Sequence, residues 1–287
     1  MGVPYAEVIG DPVAHSKSPL IHKFWLAKLG LDYDYVSTRV TPAELPGFVD
    51  MRRRDPLWCG CSVTIPHKQS VIGALDEMDP AASEIGAVNC ITREGRAAAR
   101  LIGRNTDWEG FVEPLRPWLE RNYAFRSADV IGAGGAASAV CYALDRADVN
   151  VYIYGRTREK AKRLALRLQP ENDPPGADLA MLSRPAERVP APDPERLGLL
   201  VNATPLGMAG FEPLPINLDL FPPTTLVYDL VYVPAETPLL RAARERGMPR
   251  IDGFAMLVGQ AAVAFERFYA EPAPREYDSE LRDLLVR

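Results

Sequence analysis

The lysine at position 68 stands where a helix does not favour a cation. The stretch Cys61-Ser62-Val63-Thr64-Ile65-Pro66-His67-Lys68 alternates apolar and hydroxyl side chains, which predicts a strand that ends at Pro66, where a helix can begin. Lys68 then falls in a first helical turn, where unpaired backbone N–H groups disfavour an ammonium. We therefore expect Lys68 to have a chemical role.

Asp107 is the candidate partner of Lys68. It closes the segment Gly103-Arg104-Asn105-Thr106-Asp107 and directly precedes a predicted helix from Trp108 to Glu120. A carboxylate near Lys68 would favour the charged amine and allow proton exchange between the two groups. The alternative is that Asp107 only caps the helix.

Further polar side chains are candidates for binding a polar ligand. Ser16 and Ser18 lie on one side of a predicted extended segment, where they can hold a carboxylate, although Ser18 followed by Pro19 is also an ordinary helix start. Asn89 ends a short apolar piece with an amide that donates and accepts. Gln260 has only apolar neighbours, so its amide needs a partner, either a substrate hydroxyl or a backbone carbonyl.

Residues 132–137, Gly-Ala-Gly-Gly-Ala-Ala, fit the GxGxxG/A pattern of dinucleotide-binding loops. An apolar strand precedes them, a helix follows at once, and a second strand ends about 20 residues later. At such a loop the backbone approaches a pyrophosphate at a helix N-terminus, and the candidate contacts are Gly132, Gly134, Gly135, Ala136 and Ala137. The alternative is a glycine turn without a ligand.

The end of that second strand distinguishes NAD from NADP. Enzymes that prefer NAD usually have Asp or Glu there, whereas this chain has Gly155-Arg156-Thr157-Arg158-Glu159-Lys160. Arg156, Thr157 and Lys160 can bind a 2′-phosphate, so we predict NADP(H) as the cofactor. The alternative is that these cations only solubilise the start of a helix.

Length and composition predict an α/β protein of two domains. The 287 residues are 47% hydrophobic and 25% charged, and short apolar runs alternate with amphipathic stretches, which indicates a largely parallel sheet with crossover helices. Prolines interrupt residues 169–194, which we interpret as a loop. The segment from Gly253 to Tyr269 is helical and apolar on most of its circumference, so we expect it to be buried.

Several classes of function are disfavoured by the sequence. A net charge of −5 without a basic stripe argues against nucleic acid as a partner. No apolar stretch approaches the roughly 18 residues that span a membrane, and the N-terminus lacks the layout of a signal peptide. The four cysteines show neither metal-ligand spacing nor a disulfide framework. We expect a cytoplasmic protein, a monomer or homodimer, without a metal.

Eight segments together resemble the shikimate dehydrogenase family along nearly the whole chain. They are HSKSP at 15–19, SVTIPHK at 62–68, GAVN at 86–89, NTD at 105–107, GAGGAA at 132–137, NATPLGM at 202–208, DLVY at 229–232 and DGFAMLVGQAA at 252–262. The resemblance implies the NADPH-dependent, reversible reduction of 3-dehydroshikimate to shikimate, on the route to chorismate and the aromatic amino acids.

The resemblance also implies a domain layout and site residues. It places an N-terminal α/β substrate domain at residues 1–107, a Rossmann-like NADP-binding domain at 108–250, and C-terminal helices at 251–287 that return to the first domain. The catalytic pair falls on Lys68 and Asp107. Substrate contacts fall on Ser16, Ser18, Thr64, Asn89, Tyr232 and Gln260. Cofactor contacts fall on the glycine loop, Arg156, Thr157, Lys160, Asn202, Thr204, Leu230 and Gly253.

The chain departs from the family at Lys23, Ser62 and Gly155, each of which replaces a usual asparagine. Ser62 matters most, because that asparagine lies at the substrate in the family. A quinate/shikimate or shikimate-like dehydrogenase acting on a related cyclohexane carboxylate therefore stays open as an alternative. A catalytically idle NADP-binding sensor is a more remote one, since a sensor would not need both Lys68 and Asp107.

Overall fold

The computed structural model describes residues 2–95, 99–120, 125, 127–168, 177–178 and 198–286. Apart from residues 177–178, the predicted loop over 169–194 lies outside this part of the chain. The first elements are β1 Tyr5–Gly10, α1 Ser18–Leu29, β2 Asp34–Arg39, α2 Leu45–Arg53, β3 Trp58–Val63, α3 His67–Ser70, β4 Glu77–Met78, α4 Pro80–Ile85, β5 Cys90–Glu94 and β6 Arg100–Arg104. The others are α5 Asp107–Val112, α6 Arg116–Leu119, β7 Ser127–Ile131, α7 Gly135–Arg146, β8 Asn150–Gly155, α8 Arg158–Leu168, β9 Ala177–Asp178, β10 Leu199–Asn202, β11 Leu226–Asp229, α9 Pro238–Glu245, β12 Arg250–Ile251, α10 Gly253–Tyr269 and α11 Asp278–Val286.

The chain divides into two compact units. Unit 1 comprises Met1–Asp107 and Val258–Arg287, and unit 2 comprises Trp108–Leu257. Each unit contains one sheet of six strands among the described residues. No helix of the described chain combines the length and the apolar character that crossing a membrane requires.

The sheet of unit 1 has the order β2-β1-β3-β5-β6-β4 and mixes parallel with antiparallel pairs. β3 and β6 both run antiparallel to β5, so that Cys90 at the start of β5 faces Ser62 on one side and Arg104 on the other. The last residues of β3 and β6 therefore meet the residue that precedes β5. This pairing places segments 64–68, 86–89 and 105–107 side by side, where β3 and β6 end and β5 begins.

An aromatic cluster anchors the C-terminal helix α10 within unit 1. Trp25 of α1 meets Phe265 of α10 edge to face, with their ring centroids 5.5 Å apart, and both side chains are fully buried. His22 stacks on Tyr35 of β2 with centroids 4.0 Å apart. Burial lowers the pKa of His22 to about 3, so this imidazole is neutral and packs as an aromatic ring.

The sheet of unit 2 has the order β12-β11-β10-β7-β8-β9, and every pair is parallel. The strand order reverses between β7 and β10, which makes their carboxyl ends the place where doubly wound sheets bind ligands. The apolar runs 199–202 and 226–229 form β10 and β11. The predicted α/β fold with a Rossmann-like sheet is confirmed.

The helix expected over residues 108–120 is wrong in its second half. α5 ends at Val112, a 3₁₀ turn covers residues 113–115, and α6 is a separate short helix. Pro114 explains the break, because proline has no backbone N–H to donate within a helix and its ring clashes with the preceding turn.

Two glycines of unit 1 give opposite expectations for replacement by alanine. A Cβ at Gly60 in β3 would collide with the carbonyl oxygen of Ile91 and lie 2.8 Å from the Phe268 ring, whereas a Cβ at Gly47 in α2 meets nothing within 4 Å. We expect Gly60→Ala to lower the free energy of unfolding by about 2 kcal/mol or more. Gly47→Ala should raise it by about 0.5–1 kcal/mol through helix propensity. Denaturant titration measures both values, and equal effects of the two substitutions would contradict this packing.

Candidate active site

Lys68 and Asp107 form an ion pair in unit 1. Lys68 is the second residue of α3, directly after the turn that follows β3, and its Nζ lies 2.5 Å from Oδ2 of Asp107. The lysine side chain is 19% exposed and the aspartate side chain 6%. The carboxylate offsets the unfavourable position of the amine in a first helical turn, as expected from the sequence.

The other carboxylate oxygen of Asp107 is held by Asn89. The Asn89 amide donates from Nδ2 to Oδ1 of Asp107 over 2.8 Å and to Oγ1 of Thr106 over 3.0 Å. In return the backbone N–H of Thr106 donates to Oδ1 of Asn89 over 2.7 Å. Both oxygens of the Asp107 carboxylate are thereby fixed, one towards the lysine and one towards the amide.

Asn105 supports the same carboxylate from the backbone side. Its Nδ2 donates to the carbonyl oxygen of Ala87 over 2.9 Å, and its Oδ1 accepts from the backbone N–H of Asp107 over 3.1 Å. Asn105 is 1% exposed. The sequence had assigned no role to Asn105 or Thr106, although a short polar run between a strand and a helix was the available signal.

Gln260 of α10 approaches this group. Its Oε1 lies 3.5 Å from Nδ2 of Asn89, so Gln260 joins a cluster with Lys68 and Asp107. Thr64, half-buried after β3, donates its backbone N–H to the carbonyl oxygen of Ile9 over 2.9 Å.

Ser62 lies on β3 with its hydroxyl held by a buried tyrosine. Tyr35 donates from its phenol to Oγ of Ser62 over 2.8 Å, and Ser62 is 8% exposed. The tyrosine ring belongs to the aromatic cluster around His22. The hydroxyl of Ser62 is therefore oriented by Tyr35, whose ring is fixed by the packing of β2 against α1.

The serine pair occupies a turn, so the extended segment is wrong and the alternative, a helix start at Ser18-Pro19, is confirmed. Lys17 has helical backbone angles, Ser16 donates its N–H to Val13, and Ser18 is the first residue of α1. The backbone N–H of Ser18 donates to Oγ of Ser16 over 3.3 Å. Pro19 explains the difference, because proline in the first turn favours the helix that begins at Ser18. The two serines still lie side by side.

The glycine loop of unit 2 fits a dinucleotide phosphate. Gly132 has a φ of +126°, and a Cβ there would lie 2.8 Å from the carbonyl oxygen of Ala203, so glycine is required for the close approach of β7 and β10. A Cβ on Gly134 would meet nothing within 4 Å, and among the described residues the cap position of α7 provides no side-chain hydrogen bond, because it is Gly134. Open space and uncapped helix N–H groups are what a pyrophosphate needs.

The basic residues after β8 are exposed, and they surround the start of α8. Arg156, Thr157 and Lys160 follow the strand end at Gly155, and the backbone N–H of Lys160 donates to the carbonyl oxygen of Thr157 over 3.0 Å. Neither Arg156 nor Lys160 makes an ion pair with another described residue. Their charges are available for an anion such as a 2′-phosphate.

Asn202 and Thr204 lie at the carboxyl end of β10 in a buried hydrogen-bond network. Oδ1 of Asn202 accepts from the backbone N–H of Thr204 over 3.1 Å and from its hydroxyl over 2.7 Å. Nδ2 of Asn202 donates to the carbonyl oxygen of Leu206 over 3.0 Å and to Oδ1 of Asp229 over 2.9 Å. Asp229 is fully buried at the end of β11, and burial raises its pKa to about 6.

Leu230 and Gly253 are in close contact, as their predicted roles near one ligand would require. A Cβ on Gly253 would lie 2.5 Å from the carbonyl oxygen of Leu230, so only glycine allows this approach. Tyr232 is half-buried in the same unit, 5.9 Å from the ring of Phe254 between centroids, and burial raises the pKa of its phenol.

Comparison with known proteins identifies the family. The family model of the shikimate dehydrogenase substrate binding domain matches residues 8–91. A shikimate dehydrogenase (NADP(+)) of Sphingopyxis alaskensis is 46% identical over 284 residues, which cover 99% of this chain and 97% of that protein. This chain belongs to the shikimate dehydrogenase family. The resemblance seen in the sequence is confirmed.

Solved structures agree with membership of the shikimate dehydrogenase family. The Thermus thermophilus shikimate 5-dehydrogenase in complex with NADP(H) and shikimate has a TM-score of 0.80 and 33% identity, covering 98% of this chain and 99% of that one. A quinate dehydrogenase from Corynebacterium glutamicum in complex with NAD has a TM-score of 0.83 and 27% identity, covering 99% of both chains. The fold is therefore shared by enzymes named for two related substrates.

Asp229→Asn tests the buried carboxyl in this shikimate dehydrogenase family member. The folded-state pKa of about 6 lies above the ordinary 3.8, so the neutral acid stabilises the fold below about pH 4 and this stabilisation is lost as the pH rises through 6. Asparagine stays neutral, so the free energy of unfolding of the variant relative to the unmodified protein should rise by about 2 kcal/mol between pH 4 and pH 7. Denaturant titrations at several pH values measure it. A difference that is constant with pH would contradict the assignment.

Proposed function

We propose that the chain catalyses the reversible, NADPH-dependent reduction of 3-dehydroshikimate to shikimate. The observation that carries the proposal is the ion pair of Lys68 and Asp107, fixed at 2.5 Å in a chain of the shikimate dehydrogenase family. A nearly buried amine beside a carboxylate is suited to moving a proton at a hydroxyl group. The reaction would serve the biosynthesis of chorismate and the aromatic amino acids.

The substrate residues of unit 1 bind the ring in this proposal. The hydroxyls of Ser16 and Ser18 hold the carboxylate, and Thr64 and Gln260 bind ring hydroxyls. Asn89 has a double role, because its amide already donates to Asp107 and Thr106. The family resemblance adds Tyr232 as a further candidate for binding a substrate hydroxyl. Hydrogen bonds to several fixed groups orient the reacting carbon and thereby reduce the entropy cost of reaction.

The proton step belongs to Lys68 and Asp107. When shikimate is oxidised, the pair takes the proton of the reacting hydroxyl; when the ketone is reduced, the pair returns a proton to the developing alkoxide. Lys68 also places positive charge where negative charge grows, which stabilises the transition state. Asn89 and Asn105 keep the carboxylate in one orientation through both directions.

The residues of unit 2 hold the cofactor. The loop at Gly132 and Gly134 with the N-terminus of α7 holds the pyrophosphate, and Arg156, Thr157 and Lys160 hold the 2′-phosphate. Asn202, Thr204, Leu230 and Gly253 hold the nicotinamide side. When bound, the nicotinamide supplies the hydride for reduction or accepts it in oxidation.

Initial rates with purified protein test this function. Formation of the reduced cofactor, NADPH or NADH, is followed with shikimate and with quinate, each with NADP⁺ and with NAD⁺. We expect a strong preference for shikimate with NADP⁺. Absence of turnover with every pair would contradict the proposal.

A quinate/shikimate dehydrogenase is the second candidate. It is favoured by Ser62, which replaces the family's usual asparagine and whose hydroxyl is held by Tyr35 over 2.8 Å, and by the likeness to the quinate dehydrogenase of Corynebacterium glutamicum. Rates with quinate that equal those with shikimate would decide for it. The arginine and lysine after β8 favour NADP and so weigh towards the first candidate.

Lys68→Ala should lower kcat by roughly 100-fold or more while the KM for shikimate stays within a few-fold, because a proton-transfer group acts in the transition state. Lys28→Ala is the matched control: Lys28 also forms an ion pair in unit 1, with Glu280 at 2.6 Å, but outside the cluster. Steady-state kinetics on both variants give the answer. If only KM rose in Lys68→Ala, the lysine would be a binding residue.

Arg156→Ala should raise the KM for NADP⁺ by about 10-fold or more and leave the KM for NAD⁺ nearly unchanged, since a charge-assisted bond to the 2′-phosphate is lost. Arg163→Ala provides the control, because Arg163 is an exposed arginine within helix α8, which begins two residues after Arg156. Equal losses with both cofactors would show that Arg156 does not read the 2′-phosphate.

A further inference from the structure

Asp229 is the buried carboxylate that the proposed reaction leaves without a role. It ends β11 and is 0% exposed. Three donors from three segments converge on it: Nδ2 of Asn202 and the backbone N–H of Val231 donate to Oδ1 over 2.9 and 3.1 Å, and the hydroxyl of Thr237 donates to Oδ2 over 2.6 Å. Burying such a group is costly unless its hydrogen bonds are satisfied.

One of the three donors, Asn202, is itself assigned to the cofactor, and a second, Val231, adjoins the assigned residue Leu230. Asn202 ends β10 and holds Thr204 through its own Oδ1. Val231 directly follows Leu230, whose carbonyl oxygen is in close contact with Gly253. Thr237 begins α9 and also accepts from the backbone N–H of Leu240 over 3.2 Å. One carboxylate thus joins the loop after β10, the loop after β11 and the start of α9.

We propose that Asp229 is a positioning residue for the cofactor: its carboxylate fixes the segments that carry Asn202, Thr204 and Leu230 at the switch point of the sheet. The inference rests on the proposed function, because these segments are taken to bind NADP. It goes beyond that function because it assigns a role to a residue that contacts neither NADP nor the substrate in the proposal. A side chain that orients binding groups acts through pre-organisation, so its loss weakens binding without removing a contact.

Two substitutions at position 229 distinguish the hydrogen bonds of the carboxylate from its charge. Asp229→Asn removes only the charge, whereas Asp229→Ala removes both. Asparagine can keep every bond, with its Oδ1 accepting from Asn202 and Val231 while its Nδ2 donates to the hydroxyl of Thr237, which turns to accept. Alanine leaves all three donors without this partner. The dissociation constant of NADP⁺, measured by calorimetry, should rise roughly 10-fold or more in Asp229→Ala and stay within about 3-fold in Asp229→Asn.

Two threonines of unit 2 give a second and independent comparison. Thr237 and Thr225 are 0% and 2% exposed, but Oγ1 of Thr225, at the opposite end of β11, has no hydrogen-bond partner among the described residues. Thr237→Val should weaken NADP⁺ binding by roughly 3-fold or more, whereas Thr237→Ser and Thr225→Val should not change it. These variants test whether the hydrogen bond between Thr237 and Asp229 supports NADP⁺ binding, even if Asp229→Ala does not fold.

The KM for shikimate, measured with saturating NADP⁺, separates positioning from general damage. Because the substrate residues other than Tyr232 belong to unit 1, we expect this KM to change by a smaller factor than the dissociation constant of NADP⁺ in all folded variants. Unchanged NADP⁺ affinity in Asp229→Ala and Thr237→Val would overturn the inference, as would parallel losses of NADP⁺ and shikimate binding. If the unmodified protein itself does not bind NADP⁺, the proposed function fails, and the inference fails with it.

Discussion

The chemistry assigned to this chain depends on an ion pair that is almost removed from water. Taking a lysine and an aspartate out of water costs several kcal/mol for each ion, and good geometry with further hydrogen bonds must offset that cost. Here Asn89 occupies the second oxygen of Asp107, and Asn105 holds its backbone. The ion pair therefore depends on the hydrogen bonds that Asn89 and Asn105 make to Asp107. The antiparallel pairing of β5 with β3 and β6 brings these loops together.

Unit 2 also contains a buried carboxylate, Asp229, and its hydrogen-bond donors among the described residues are neutral. At the carboxyl ends of β10 and β11, a buried carboxylate is satisfied by an amide, a hydroxyl and a backbone N–H. No cationic side chain in the described part of the chain donates to Asp229, so burial dominates and raises its pKa to about 6. In both units a carboxylate at a strand or helix end fixes the loops around it. In unit 1 the carboxylate is paired with an amine suited to chemistry, whereas in unit 2 it is enclosed.

Local patterns in the sequence predicted much of this arrangement. The unfavourable helical position of Lys68 indicated its partner, and the glycine loop between an apolar strand and a helix indicated a parallel sheet. The sequence could not reveal Asn105, Thr106 or Thr237, because their roles follow from strand register and loop contacts that no local period encodes. The effect of proline was underestimated at Pro114, where backbone sterics overrode the polar and apolar pattern. At Ser18-Pro19 the helix start was one of two open alternatives.

The central claim is that Lys68 and Asp107 act as one proton-transfer unit. A double-mutant cycle on kcat for shikimate oxidation tests it most directly, with Lys68→Ala, Asp107→Asn and the two combined. If the residues act as a unit, the double variant should lose about as much activity as the worse single variant, because either change alone already disables the pair. Losses that multiply would show that the two side chains act independently and would contradict the account.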